Sequence, residues 1–166
     1  MTKWIAIIFA AYALFTESVN AQVVIPNQDN PTQLGRSVYG LGFSAGAVSG
    51  IGLSFRHHLP TALSYQIVGG IIKADTKLYY DLGTEIQFDL VRGERTRFFA
   101  GGGVGYFYSG ESGTNNLSGP FRVGLGIGGE FSHIQFLHLS VEGMFTFFSD
   151  GTILPLPQIS AHYYFF

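Results

Sequence analysis

Apolar and polar residues alternate with a period of two along most of this chain, from Ser37 to the carboxyl terminus. That period is typical of β-strands whose two faces meet different surroundings, and clusters of turn-forming residues interrupt it repeatedly. The alternation predicts eight strands and no helix in this region. The expected strands cover residues 37–46, 50–59, 62–74, 77–91, 96–108, 121–131, 136–148 and 156–166.

The two phases of these strands differ in side-chain size as well as in polarity. In the predicted fourth strand, Leu82, Ile86 and Phe88 share one phase, whereas Asp81 and Glu85 share the other. Across the strands, the polar phase is rich in glycine and serine and the apolar phase carries bulky side chains. Because an eight-stranded barrel has a narrow interior, the small and polar phase is expected inside. The sequence therefore predicts an all-β fold, an eight-stranded antiparallel up-and-down transmembrane β-barrel.

The exterior of such a barrel is suited to lipid. Seven or eight strands with several outward apolar side chains each would form a patch far above the roughly 300–600 Å² typical of soluble monomers. A charge in the middle of a lipid-facing surface costs about 2–4 kcal/mol, and the sequence places none there. Eight charged residues fall instead in the inward phase: Arg56, Asp81, Glu85, Asp89, Arg97, Arg122, Glu130 and Glu142.

The outward aromatic residues are expected to form two belts, as membrane interfaces favour. With the amino terminus on the periplasmic side, the periplasmic belt contains Tyr39, Phe55, Tyr65, Phe88, Phe98, Phe131, Tyr163 and Phe165. The outer belt contains Phe43, Tyr80, Tyr106, Tyr108, Phe121, Phe145 and Phe147.

The first 21 residues have the parts of a secretory signal peptide. Lys3 precedes a twelve-residue apolar stretch, and Val19 and Ala21 occupy the positions that a signal peptidase inspects. A membrane anchor is the alternative, but twelve helical residues rise only about 18 Å, against a hydrocarbon core of about 30 Å. We therefore expect cleavage after Ala21, a flexible periplasmic lead-in over residues 22–36, and a barrel over residues 37–166 in the cell outer membrane.

Composition removes several function classes. Charged residues make up 12% of the chain, the formal net charge is −2, and no basic cluster is present, so nucleic acid is not an expected partner. The chain has no cysteine, which excludes disulfides and thiolate metal sites. The five histidines offer no metal-ligand set, and no cofactor or catalytic residue is predicted.

Over residues 37–166 the chain resembles the small eight-stranded outer-membrane barrels of the OmpA-barrel and OmpX kind. The resemblance rests on the architecture and on the terminal aromatics Tyr163, Tyr164, Phe165 and Phe166, which look like the signal that the barrel-assembly machinery of that family reads. In the phase set by Tyr163 and Phe165, however, Phe166 falls inward, so either a bulge intervenes or the last strand has another phase. Pro155 and Pro157 are also expected to delay pairing there.

Four connections are expected on the extracellular side, over residues 46–49, 74–76, 109–120 and 149–155. Most of them are short. Residues 109–120, rich in glycine and asparagine, are long enough to form a mobile loop, which makes this segment the possible contact for an extracellular partner.

The inward polar residues are predicted to fill the lumen as a structural network, because buried ions need partners. Hairpin geometry is expected to place Asp89 beside Arg97 and Glu130 beside His138, with Arg56, Gln66 and Glu85 in one row. The predicted network comprises Arg56, Gln66, Asp81, Glu85, Asp89, Arg97, Arg122, Glu130, His138 and Glu142.

Three other functions fit parts of the sequence. A small pore would use the same inward charges. An outer-membrane lipid hydrolase could use His138, Ser140 and Glu142, but residues two apart on a strand are separated by about 6.6 Å, so Ser140 would need His162 instead. A soluble lipocalin-like carrier would have the opposite polarity of its two faces. The spacing of Gly124, Gly126 and Gly129 imitates a dinucleotide-binding motif, but no helix follows it.

Overall fold

The computed structural model describes residues 37–93, 95–111, 113–134 and 137–165, and in these ranges the chain forms nine strands. None of their residues forms a helix that is long and apolar enough to cross a membrane. The strands are β1 (Val38–Gly46), β2 (Gly50–His58), β3 (Leu63–Ala74), β4 (Lys77–Arg92), β5 (Thr96–Glu111), β6 (Thr114–Asn115), β7 (Phe121–Ile134), β8 (Leu137–Phe148) and β9 (Ile153–Phe165).

Eight of these strands close into an antiparallel barrel. Each long strand pairs with its neighbour in the chain, and β1 pairs with β9, so that the sheet has no break between its first and last strands. The two-residue β6 folds back on the end of β5, and β7 then pairs with β5 along its length. The predicted fold, an all-β eight-stranded barrel, is confirmed.

The wall of the barrel has its apolar side outside. Leu53 and Ile127 expose 68% and 69% of their surface, and most other outward leucine, isoleucine and phenylalanine side chains are also exposed. In the described residues, seventeen buried side chains are polar or charged and only seven are hydrophobic. This distribution is the reverse of that in a water-soluble domain.

Large side chains also enter the lumen, contrary to the expectation of a uniformly small inward phase. Phe99, Phe107, Met144 and Tyr164 are buried there among the polar groups. Neighbouring strands leave room for them with glycine: a Cβ on Gly128 would lie 2.7 Å from the Phe99 ring. The narrow interior therefore limits the summed volume of inward side chains on adjacent strands, and not the size of each inward side chain.

The last strand begins earlier than predicted. Pro155 and Pro157 lie opposite Phe145 and Gly143 of β8, so these prolines do not delay pairing. The reason is that β1 ends at the Gly46–Gln158 pair, which leaves the other edge of residues 153–157 without a neighbour in the described chain. A residue without an N–H is harmless on a free edge. Ile159, Tyr163 and Phe165 point outward in the predicted phase.

Two further expectations need correction. Tyr108 lies in the outward phase but is only 9% exposed, because its ring stacks on Tyr80 at 4.8 Å and its hydroxyl donates to the Thr114 carbonyl. The connection over residues 46–49 was expected outside the membrane. Its turn Ala47–Ser49, called the inner turn below, instead folds into the lumen, where Val48 and Ser49 are fully buried.

The predicted signal peptide over residues 1–21, the lead-in over residues 22–36 and the terminal Phe166 lie outside the described residues.

Candidate functional site: the polar lumen

An ionic layer crosses the lumen, made of Arg56 from β2, Asp89 from β4, Arg97 from β5 and Glu130 from β7. Arg97 donates to Asp89 Oδ1 and to Glu130 Oε2, each at 2.9 Å. Arg56 forms an ion pair with the same Glu130 oxygen. Both arginines thus meet at one carboxylate, and each ion in the layer has a partner of opposite charge.

Arg56 is the most enclosed member of this layer, with no exposed surface. Its guanidinium donates to the Gln66 side-chain oxygen and to the Ser160 hydroxyl at 3.1 Å, and it lies 3.9 Å from Glu142 Oε1. Removing a guanidinium from water is costly, and such a group is stable only when several acceptors surround it. These acceptors come from four strands, β3, β7, β8 and β9.

A second group, the carboxyl pair of Glu85 and Glu142, lies beside the ionic layer. The Gln87 amide donates to Glu85 Oε1 at 2.8 Å and to Glu142 Oε1 at 3.2 Å. The Gln158 amide donates to the other two oxygens, at 2.9 and 3.2 Å. Two amides therefore bridge two buried carboxyl groups, which explains how acidic residues lie close together in this interior.

Histidine and tyrosine side chains close the lumen near the ionic layer. His138 Nδ1 lies 2.9 Å from Glu130 Oε1, and His58 Nε2 lies 2.7 Å from the Tyr164 hydroxyl. His162 contacts the Ser54 hydroxyl at 2.8 Å. These contacts give the three histidine rings polar partners, whereas among the described residues the buried Arg97 Nε, Thr146 hydroxyl and His57 Nε2 have none.

Most of the predicted network residues meet one another. Asp89 lies beside Arg97, Glu130 beside His138, and Gln66 stands between Arg56 and Glu85 in the strand register. The lumen residues that the predicted network does not include are Gln87, Gln158, Ser160, His162, Tyr164, Ser54, Ser64 and His58. They share the inward phase of the predicted residues, and that phase is the signal by which they could have been found.

Asp81 and Arg122 do not join the ionic layer. Asp81 accepts a hydrogen bond from the Ile51 N–H at 3.0 Å, where β2 leaves the inner turn. Arg122 lies between two aromatic rings, 3.7 Å from the Phe107 centroid and 4.8 Å from that of Phe148. Both residues lie at the end of the lumen that contains the inner turn, so they form a group separate from the ionic layer.

The hydrolase residues are not arranged for nucleophilic catalysis. His138 is paired with Glu130, the Ser140 hydroxyl lies 2.5 Å from that of Ser160, and Glu142 is held by the two amides. The register places Ser140 opposite Ser160, not opposite His162. A nucleophile and its base must share a hydrogen bond, and no such triad forms from these three residues.

The described residues contain no group of three histidine, cysteine, aspartate or glutamate side chains placed to hold a metal ion. A cavity of about 160 Å³ opens at the rim that carries the β8–β9 turn, where Ser118, Arg122 and Asp150 contribute to its lining. Drug-sized ligands need about 300–1,000 Å³, so this cavity fits only a small group.

No family model matches the chain, and no curated protein matches it. Among solved structures, the outer membrane protein Ail of Yersinia pestis in a phospholipid bilayer nanodisc is similar, with 14% identity, a TM-score of 0.46, and coverage of 79% of this chain and 99% of that one. A crystal structure of Ail, the attachment invasion locus protein of Yersinia pestis, has 13% identity and a TM-score of 0.40, and the match covers 78% of this chain and 96% of that one. The crystal structure of Neisserial surface protein A has 11% identity and a TM-score of 0.38, and the match covers 77% of this chain and 91% of that one. These are likenesses in fold alone.

Proposed function

We propose that this protein is an integral outer-membrane β-barrel, exported with a cleaved signal peptide, whose lumen is closed by its own side chains. Its role is structural or lies in contacts at the extracellular surface, without catalysis. The observation that carries this proposal is the reversed distribution of polarity, with ions buried in the lumen and leucine, isoleucine and phenylalanine exposed around the wall.

Lipid is the solvent that fits the exterior. At about 25 cal/mol per Å² of apolar surface, leaving so many large side chains in water would cost more than the usual 5–15 kcal/mol stability of a domain. Inside a bilayer the same surface carries no such cost, and the closed sheet leaves few backbone groups unpaired. A lipocalin-like carrier would need the opposite arrangement.

A conducting pore is less favoured than a closed barrel. The ionic layer, the Glu85–Glu142 pair and the inner turn occupy the lumen from β2 round to β9. Ions would have to displace hydrogen-bonded arginine and glutamate side chains to pass. These contacts support a plugged lumen.

Contact with an extracellular partner is the second candidate function. It is favoured by β3, which extends beyond its pairing with β2. Residues 71–74 of β3 pair with β4 but, within the described chain, with no strand on their other edge. Ile71 and Ile72 expose 74% and 64% of their surface there. An apolar free edge can accept an extended segment of another chain. Residues 109–120, next along the rim, would extend this contact.

The carboxyl-terminal strand is the proposed contact for the barrel-assembly machinery. Tyr163 and Phe165 are exposed on the outer wall, as a signal read from outside the barrel requires. Replacing both with serine should lower the amount of folded protein in the outer membrane without changing secretion. Equal amounts of folded protein would contradict this role.

Fractionation and gel mobility test the main proposal. The protein should enter the outer-membrane fraction, and unheated samples should migrate differently from heated ones, because a closed barrel resists detergent. Recovery in the soluble periplasmic fraction would contradict the proposal.

Planar-bilayer recordings of the refolded barrel then test the closed lumen. Steady conductance would support the pore instead. Mass spectrometry of the surrounding lipids tests the absence of catalysis, since unchanged acyl chains are expected.

A further inference from the structure

The inner turn differs from the other short extracellular connections. The turns at Asp75 and Gly151 are exposed, whereas Val48 and Ser49 have no exposed surface. Gly50 follows with a φ of 104°, a left-handed conformation that glycine adopts readily, and it directs the chain back into β2. A three-residue connection could as easily be exposed to water. Its position inside therefore needs a specific seat.

That seat is a niche of four glycines on three different strands. A Cβ on Gly83 of β4 would lie 2.2 Å from the Ser49 carbonyl oxygen, and one on Gly105 of β5 would lie 2.1 Å from that of Val48. A Cβ on Gly124 of β7 would lie 2.4 Å from Val48 Cγ2, and one on Gly103 would lie 3.2 Å from Cγ1. Any other residue at the first three positions would collide with the turn.

Polar contacts hold the turn in this niche. The N–H groups of Val48 and Ser49 both donate to Gln158 Oε1, at 3.3 and 3.0 Å. Arg122 donates to the Ala47 carbonyl oxygen at 3.1 Å. The amide nitrogen of the same Gln158 donates to the Glu85–Glu142 pair. The turn is thus seated one side chain away from two buried carboxyl groups.

We propose that the inner turn is a plug, and that unseating it converts the extracellular half of the lumen into a water-filled vestibule that favours cations. The proposal rests on the proposed function, because it requires this mouth of the barrel to face the outside. With the turn removed, water reaches the carboxyl groups of Glu85 and Glu142, which Gln158 joins to the turn. Their nearest guanidinium, Arg56, is already paired with Glu130 and lies 3.9 Å from Glu142. The floor of the vestibule then carries excess negative charge.

Thiol labelling tests the plug, because the chain has no cysteine of its own. The reporter is Ser44→Cys, a buried inward position whose native hydroxyl lies 3.3 Å from that of Ser49. Full-length protein in the outer membrane of whole cells is treated with small methanethiosulfonate reagents, one cationic and one anionic. The parent should react slowly. Adding Gly124→Ala, which pushes Val48 out of its niche, should raise the cationic rate at least about tenfold.

The charge of the reagent tests the vestibule. In the Gly124→Ala background the cationic reagent should react about tenfold faster than the anionic one, after correction for their rates with a free thiol. The matched control is Gly143→Ala, because a Cβ on Gly143 meets nothing within 4 Å. This control should keep the parent rate.

Separate results distinguish failure of this proposal from failure of the proposed function. Lys77→Cys, exposed at the start of β4, should react in every background. If it does not, the turn side does not face outside, and the proposed function is wrong. If Lys77→Cys reacts but Ser44→Cys reacts equally in the parent and in Gly124→Ala, the plug is overturned. Should Gly124→Ala fail to give folded barrel, Val48→Gly vacates the niche without adding atoms, and an unchanged rate there overturns the plug as well.

Discussion

Two different kinds of contact occupy the lumen, at two levels. At the ionic layer, long charged side chains from four strands meet in the centre, and Arg56 and Arg97 share Glu130. At the inner turn, four glycines without side chains leave space that is occupied by the turn between β1 and β2, including the Val48 side chain. The ionic layer depends on matching charges, because a single loss removes a partner of opposite charge from a buried ion. The position of the inner turn depends on the free volume beside it, because one methyl group added to Gly83, Gly105 or Gly124 would overlap the turn.

The largest effect is expected in the ionic layer. Arg56→Ala should lower the free energy of unfolding by about 3–5 kcal/mol, because Glu130 loses one of its two arginines inside a buried site. Urea unfolding in lipid vesicles, followed by heat-modifiable mobility, measures this change. Arg95→Ala is the control, since the Arg95 side chain is exposed, and its loss should stay within about 0.5 kcal/mol. Equal losses from the two variants would show that burial of the charge does not matter.

A smaller effect is expected at the inner turn. Gly105→Ala should lower the free energy of unfolding by about 1–3 kcal/mol, because its methyl group overlaps the Val48 carbonyl oxygen. Gly143→Ala, with open space around it, should change stability by no more than about 0.5 kcal/mol. The same urea titration compares the two. If they behave alike, the glycine niche does not limit the position of the turn.

The pair of Asp89 and Arg97 gives a still smaller effect. Arg97→Ala should destabilise the native barrel more than it destabilises a barrel that already carries Asp89→Ala, because the ion pair is present only in the first case. The difference between the two effects should be about 1 kcal/mol. A double-mutant cycle of unfolding free energies measures it. A difference of zero would remove this pair from the ionic layer.

The smallest effect is expected outside the lumen, at the β8–β9 turn. The Thr152 N–H, the Thr152 hydroxyl and the Ser118 hydroxyl hold the pKa of Asp150 below its usual value. The ionised carboxylate therefore favours the folded turn at pH values above the ordinary carboxyl pKa, and this contribution disappears as the pH falls through the lowered pKa. Carboxyl-carbon NMR titration measures the value. In Ser118→Ala the pKa should move back toward normal, and an unmoved pKa would contradict the assigned cause.

The fold could be predicted from the sequence because strand phase is a local property. Alternation alone places Leu82 outside and Glu85 inside, and the observed exposures agree. The partners across the lumen could not be predicted so fully. Arg56 and Glu130 lie 74 residues apart, and their contact depends on the shear with which β1 meets β9. Only pairs within one hairpin, such as Asp89 with Arg97, could be placed beside each other from turn geometry.

The inner turn escaped prediction for a different reason. Short connections with glycine and serine are typical of exposed turns, and nothing in residues 46–49 alone indicates burial. The information lies in Gly83, Gly105 and Gly124, on strands far along the chain, where the missing side chains were read only as a limit on inward volume. Tyr164 is missing from the predicted lumen network because it is counted there with the terminal aromatic residues.

The β1–β2 hairpin ends in the inner turn inside the lumen, so the barrel wall is shorter at this point than elsewhere. Within the described chain, this gap leaves residues 71–74 of β3 and 153–157 of β9 each with one unpaired edge. On the β9 side, Pro155 and Pro157 remove the N–H groups that an incoming strand would need. On the β3 side, residues 71–74 contain no proline. Of the two edges beside the gap, the β3 edge is therefore the one that keeps an uninterrupted row of backbone N–H groups.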